Sequence, residues 1–285
     1  MENVSSAIEF SLSGFEELLD YRVTLFCLTL LFYCVIIMVN VALTVTITMD
    51  RNLHEPMYIF ICNLCINGLY GTSGFYPKFL LDLLSRHQSI SHSGCLFQAI
   101  VIYSSVCIDI CLLTVMSYDR SVAICRPLQY HSIMTKKHVI QLVSFSWLVP
   151  LGLMCTIGIF ISRLKLCGSH IEKLYCAGWL MVKLSCSATI CSYMQLIRSC
   201  FKSLENRGKF MSTCLPHLFA LFNITIATLF DVMHMRYGSS DLPQSLQNFL
   251  AVEILIGPPL FNPLIYGLTL TQIRNKILCR CLKRK

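Results

Sequence analysis

Few side chains in this sequence are placed for covalent chemistry. An enzyme would gather a nucleophile, an acid–base pair or a metal set, but the scattered cysteines and His217 show no metal-ligand spacing and no catalytic cluster is legible. No enzyme, metal site or cofactor is expected. The chain instead carries ionisable groups in unusual company. Asp119 and Arg120 stand together at the end of a long apolar run. An ionised arginine buried there without a partner would be costly, so the adjacent carboxylate reads as its clamp. Asp109 and Glu253, with the neutral polar residues Ser105, Asn223 and Thr225, are set singly in apolar surroundings. An ionisable group inside a membrane is by default a functional one, so these residues are candidates for a function other than bond breaking.

The elements that must position them are membrane helices. Of 285 residues, 55% are hydrophobic and 13% charged, about half the roughly 25% charge of a soluble domain; mean hydropathy is +0.64. A soluble enzyme, a disordered chain, collagen and a coiled coil are excluded. At about 20 residues per span the chain holds six or seven helices and no separate soluble domain, so residues 1–285 are read as a single all-α membrane domain. Val23 to Met49 is free of charge. Met57 to Tyr76, Cys95 to Tyr118, Val139 to Ile161, Phe210 to Phe230 and Leu246 to Leu268 follow as further spans. The last is broken by Pro258, Pro259 and Pro263, which a membrane helix tolerates where neighbours satisfy the freed backbone groups. Between residues 162 and 209 no uncharged run reaches that length; Leu184 to Ile197 has 14 residues.

The formal charge of +8 does not mark a nucleic-acid surface, because the basic residues lie between apolar runs rather than along one face. They report topology. With seven crossings and the N-terminus outside, 15 of the 23 Lys and Arg residues face the cytoplasm, among them Arg280, Lys283, Arg284 and Lys285. Residues 1–22 are then an extracellular tail, lacking the basic stretch of a signal peptide, and 269–285 a cytoplasmic tail. On the outer side Cys95, Cys167, Cys176 and Cys186 form an even set that an oxidising exterior allows to pair. Asn3-Val4-Ser5 is a glycosylation sequon on the outer tail; Asn223-Ile224-Thr225 has the same spelling inside a span and reads as chance. Cys279 and Cys281, beside the basic tail, are candidates for palmitoylation.

Five strings then make a pattern. Leu53-His54-Glu55-Pro56-Met57-Tyr58 opens span two, and Met116-Ser117-Tyr118-Asp119-Arg120-Ser121-Val122-Ala123-Ile124-Cys125 closes span three. Ser192-Tyr193 precedes the third cytoplasmic loop, KFMSTCLPHL (Lys209 to Leu218) begins span six, and Pro259-Leu260-Phe261-Asn262-Pro263-Leu264-Ile265-Tyr266 ends span seven. In this order, and on these sides of the membrane, they resemble the olfactory receptors, a branch of the rhodopsin-like G-protein-coupled receptors. The resemblance implies a seven-transmembrane-helix receptor bundle in the plasma membrane that binds a small-molecule odorant and activates a heterotrimeric G protein. It implies that Asp119 and Arg120 are the switch released on activation, and that Asn262, Pro263 and Tyr266 form the hinge and polar gate of span seven. It also pairs Cys95 with Cys176 and Cys167 with Cys186. A ligand pocket is expected between the outer halves of spans three, five, six and seven, faced by Ser105, Asp109, Asn223, Thr225 and Glu253. Membrane lipid is the other partner, and nucleic acid is not one.

Three departures from the family bear on function. Many rhodopsin-like receptors carry an Asp in the middle of span two that binds sodium, whereas Asn67 and Gly68 occupy that zone here, so no sodium site of the usual kind is expected. Ser121 replaces the aromatic residue usual after the Asp-Arg pair. The third is a shortage of length. Cys186, as an outer disulfide partner, and Tyr193, as the cytoplasmic end of span five, are seven residues apart. That distance is about 10 Å as helix and about 25 Å fully extended, against a hydrocarbon core about 30 Å thick. Both assignments cannot hold, so the fifth helix is truncated or substituted. Leu174 to Ile197 is 24 residues with a single charge, Lys183. It offers a substitute helix at about 2.5 to 3.5 kcal/mol for the lysine and with loss of the Cys176 and Cys186 bridges. Six spans alone would put the basic tail outside, against the positive-inside rule. The expectation is therefore a substitute fifth helix, a cytoplasmic C-terminus, and an odorant-type G-protein-coupled receptor. The alternatives are a non-signalling receptor remnant and a small transporter or channel, which would want internal repeats that are not seen.

Overall fold

An apolar run long enough to cross a bilayer must satisfy its backbone within itself, and α1 (Arg22–Met49) does so as an unbroken helix of 28 residues. At 1.5 Å per residue it rises about 42 Å, more than a hydrocarbon core requires. Ile36, Asn40 and Leu43, three or four apart, continue into the adjacent Thr46 and Ile47, and these buried residues make one stripe. The computed structural model to which α1 belongs describes residues 9–12, 21–50, 53–85, 88–163, 170–171, 175–176 and 256–264. The expectations for spans five and six lie outside these residues.

The stripe of α1 packs on α2 (Pro56–Leu84), which packs in turn on α3 (His92–Cys125). α2 has two neighbours to satisfy and buries far more of its length than α1, from Met57 to Leu83. Its closeness to α3 depends on missing side chains. A Cβ at Gly71 would stand 2.3 Å from Ser105 Oγ, and one at Gly74 would stand 2.7 Å from Val101 Cγ1, so α3 lies directly on the bare backbone of α2. α4 (Tyr130–Ile133) follows a short 3-10 turn at Pro127–Gln129. α5 (Lys136–Ser162) then returns along α3, its Trp147 Nε1–H donating to Asn63 Oδ1 of α2 at 3.2 Å. Among the described residues α1, α3 and α5 are the helices long and apolar enough to cross a membrane.

The helices outrun the apolar runs that announced them. α2 continues past Tyr76 to Leu84, through Pro77, because Lys78 pairs with Asp82 one turn on and also donates to the Ser89 carbonyl at 2.9 Å. α3 starts three residues before Cys95, where the Ser91 side chain accepts from Gly94 N–H, and ends at Cys125 ahead of Pro127. α5 starts where Thr135 accepts from His138 N–H.

Strands were not expected. β1 (Glu9–Leu12) pairs antiparallel with β2 (Ser89–Ser91) and parallel with β3 (His170–Ile171), in the order β2-β1-β3. This sheet closes one end of the bundle, where Cys95 and Cys176 are joined as a disulfide with Cα atoms 5.2 Å apart. One apolar core underlies that disulfide end, around Phe10, Phe75, Tyr76 and Cys176; a second lies toward the Arg120 end, around Phe60, Ile61, Leu112 and Met116.

The bridge corrects one expectation. A substitute fifth helix starting at Leu174 was to release Cys176 into the membrane, but Cys176 is fully buried against α3 and bonded to Cys95. Covalent attachment to the first turn of α3 holds it at the end of the bundle, so any substitute crossing starts after it.

Candidate functional site

At the Arg120 end the last turns of α3 assemble a three-residue clamp. Asp119 is wholly buried, and neighbouring positions on a helix point about 100° apart, so Arg120 must fold back to reach it. It does: Nε and Nη2 of Arg120 donate to Asp119 Oδ2 at 2.9 and 2.5 Å. Tyr130, at the start of α4, donates its hydroxyl to the other oxygen, Oδ1, at 2.8 Å. Burial raises the Tyr130 phenol above its ordinary value, and the Asp119 carboxylate that accepts its proton raises it further. The phenol is thus held neutral as a donor. Beside this closed clamp Leu128 is 100% exposed, on a stretch bordered by Arg126, Lys136 and Lys137.

Farther into the bundle a second constellation joins three helices. Pro263 has no N–H to give the Pro259 carbonyl one turn earlier in the helical stretch 256–264, so that carbonyl needs an outside donor. Asn40 of α1 supplies it: Nδ2 donates to Pro259 O at 2.9 Å and to its own Ile36 O at 2.8 Å. Gly68 of α2 makes room for the contact, since a Cβ there would stand 3.1 Å from Asn40 Oδ1 and 3.5 Å from Pro259. Asn262 and Pro263 are both buried in the same stretch.

Between α2 and α3 lies a third. Asn67 Nδ2 donates to Ser105 O at 2.8 Å, and Ser105 Oγ donates back to Asn67 O at 3.4 Å. Asp109, one turn along α3, is buried next to Asn67, and its Oδ1 has no hydrogen-bond partner. Ser105 and Asp109 both therefore turn toward α2. Asn223, Thr225 and Glu253, the other polar residues expected at a pocket, lie outside the described residues, as do Tyr266, Asn3, Cys167, Cys186, Cys279 and Cys281. No group of three metal-ligating side chains occurs among the described residues.

At the disulfide end Gln98 brackets three elements. Its Nε2 donates to Gly74 O of α2 at 3.0 Å, and its Oε1 accepts from Cys176 N–H at 2.9 Å. Sequence reading found Asp119 and Arg120 from their adjacency, and Asn262 and Pro263 from their string. It missed Tyr130, Asn40, Gln98 and Leu128. Two signals were available: the amide Asn40 as the strongly polar residue of an otherwise apolar span, and Leu128 as an apolar residue close to Arg126 in a basic loop.

Comparison with known proteins places this geometry. Residues 39–266 match the family model "7 transmembrane receptor (rhodopsin family)". Among curated relatives, "Olfactory receptor 1D2" of Gorilla gorilla gorilla is 33% identical over 96% of this chain and 93% of its own. "Olfactory receptor 6N1" of Homo sapiens is 33% identical over 96% and 95%, and "Olfactory receptor 14A2" of Homo sapiens 33% over 94% and 92%. The alignment to the first extends over 302 positions, more than the 285 residues of the chain, so this sequence carries gaps where the relative has residues.

Proposed function

Because the chain belongs to the rhodopsin family of seven-transmembrane receptors, on its olfactory branch, it is a multi-pass membrane receptor of the odorant type and not an enzyme, and we propose how its two ends divide the work. The disulfide end faces the cell exterior and admits a small odorant to the bundle. The Arg120 end and the C-terminal tail face the cytoplasm at the plasma membrane, where a heterotrimeric G protein docks. The clamp carries this reading: a buried carboxylate held by an arginine on one oxygen and a tyrosine on the other is a closed two-state element. Arg120 released from Asp119 would project beside the exposed Leu128, giving a partner one cation and one apolar anchor. Asn262 and Pro263, tied to α1 through Asn40, support a hinge role for span seven, with Tyr266 its continuation. Asp109, Glu253, Ser105, Asn223 and Thr225 remain the proposed polar contacts of the bundle interior, and Cys167–Cys186 and the Asn3 glycan the proposed outer modifications.

The fifth crossing is proposed to lie within residues 177–197. Cys176 is bonded to Cys95 at the disulfide end and a basic loop begins at Arg198, which leaves about the 20 residues one span requires, with Lys183 as their single charge. Cells expressing the chain at the surface should raise cAMP when given a mixture of aliphatic alcohols, aldehydes, ketones and esters, and Arg120→Ala should abolish the rise. Normal surface expression with no response to the mixture would instead identify a receptor remnant.

A further inference from the structure

We propose that β1 is a strap across the disulfide-bearing mouth of the bundle and that Phe10 is its removable plug, controlling entry of small molecules from that side; this rests on the ligand-binding reading above. Phe10 lies outside every span, yet it is 0% exposed. It belongs to the same core as Phe75, Phe79, Ile90 and Tyr175 and stands 6.1 Å from the His92 ring. An aromatic side chain from an N-terminal segment thus fills the top of the bundle core.

The strap holds the roof together from its centre. β2 runs directly into α3, and β3 precedes Tyr175 and Cys176, which the disulfide and Gln98 fasten to α3. β1 is the strand between β2 and β3. Lifting β1 therefore separates two anchored edges, whereas neither edge can leave without disturbing α3. The strands have four, three and two residues, too short for a sheet to persist by its own pairing. Among the described side chains of the strands Phe10 and Ile90 are the buried ones, so β1 is seated through Phe10, which puts it at the low end of local opening free energies. His92 adds an independent sign. Its Nε2 is buried without a hydrogen-bond partner, a cost relieved whenever the neighbouring Phe10 withdraws and water reaches it.

The test reads access without any odorant or G protein. A reporter thiol, Phe79→Cys, is placed in the core beneath the sheet, and a membrane-impermeant maleimide is applied to intact cells, with the parent chain giving the background of native cysteines. Labelling should be slow with Phe10 or Phe10→Leu and at least tenfold faster with Phe10→Ala. A control reporter, Ser146→Cys, buried in α5 away from the roof, should keep its rate. If Phe10→Ala does not reach the surface, Phe10→Val carries the comparison, with a rate between those of Leu and the unplugged mouth. A reporter rate indifferent to residue 10, or a control that accelerates in parallel, overturns the proposal. Because labelling needs no signalling, its failure is separable from failure of the receptor reading.

Discussion

Asp119 is the residue on which the clamp at the end of α3 turns, because both its oxygens are engaged and its environment excludes water. A hydrogen bond to a charged group contributes about 1.5 to 3 kcal/mol, and each 1.4 kcal/mol moves an equilibrium about tenfold. Asp119→Asn keeps the shape and removes the charge, so Arg120 should be released and basal cAMP should rise by roughly an order of magnitude at equal surface level. Tyr130→Phe removes a single bond and leaves the ion pair, and its basal signal should fall between wild type and Asp119→Asn. A Tyr130→Phe signal equal to or above that of Asp119→Asn would show that the phenol, not the charge pair, holds the closed state. Leu128 acts at a different step. Being fully exposed, it supports nothing within the chain, so Leu128→Asp should leave expression and basal clamp intact while lowering agonist-driven cAMP several-fold. A loss of surface expression in that variant would place Leu128 in folding instead.

At the scale of the element, the question is how a helix containing Pro258, Pro259 and Pro263 stays in register with its neighbours. Asn40 answers for one of the freed carbonyls, and a double-mutant cycle can isolate that bond. Asn40→Ala should lower the thermal midpoint of the purified receptor, leaving a buried carbonyl unpaired at about 1 to 3 kcal/mol. Pro263→Ala returns an N–H to residue 263, so in the Asn40→Ala background it should recover part of that loss. Strict additivity of the two changes would mean that Pro259 O is satisfied elsewhere. Gly71→Val should be harsher than either, because Ser105 stands where its side chain must go, and surface expression should fall below detection. What the sequence revealed divides along the same lines. α1, α3 and α5 were legible because long apolar runs, free of charge in α1 and α5 and carrying only Asp109 in α3, leave the backbone no other solution in lipid. The far end of α2 was not, since it is held by Lys78, Asp82 and the Ser89 carbonyl rather than by apolarity. β1 was invisible for a related reason: its partners are about 80 and 160 residues away, and four residues carry no periodicity of their own. In the site, adjacency exposed Asp119 and Arg120, while Tyr130 reaches the clamp only through the turn after Pro127.

For the whole molecule, length decides what kind of receptor this is. With Cys176 bonded to Cys95 at the end of the bundle, the proposed fifth crossing, with Arg198 on its far side, has only residues 177–197 to use. About 20 residues suffice as helix for a core about 30 Å thick, but they leave nothing for the outer loop in which Cys186 would pair with Cys167. The two demands compete for the same residues. If the crossing wins, Cys186 is a free thiol, the tail remains cytoplasmic, and a C-terminal epitope is detected only after permeabilisation. Inserting the missing stretch of an olfactory relative between Cys186 and Ser192 then separates the roles, giving the loop its bridge and the membrane its own helix. The insertion should raise odorant-mixture responses well above those of the parent chain and make Cys186→Ser costly to surface expression, as it is not in the parent. A parent that signals as strongly as the inserted chain would show that the shortened crossing is a complete fifth helix.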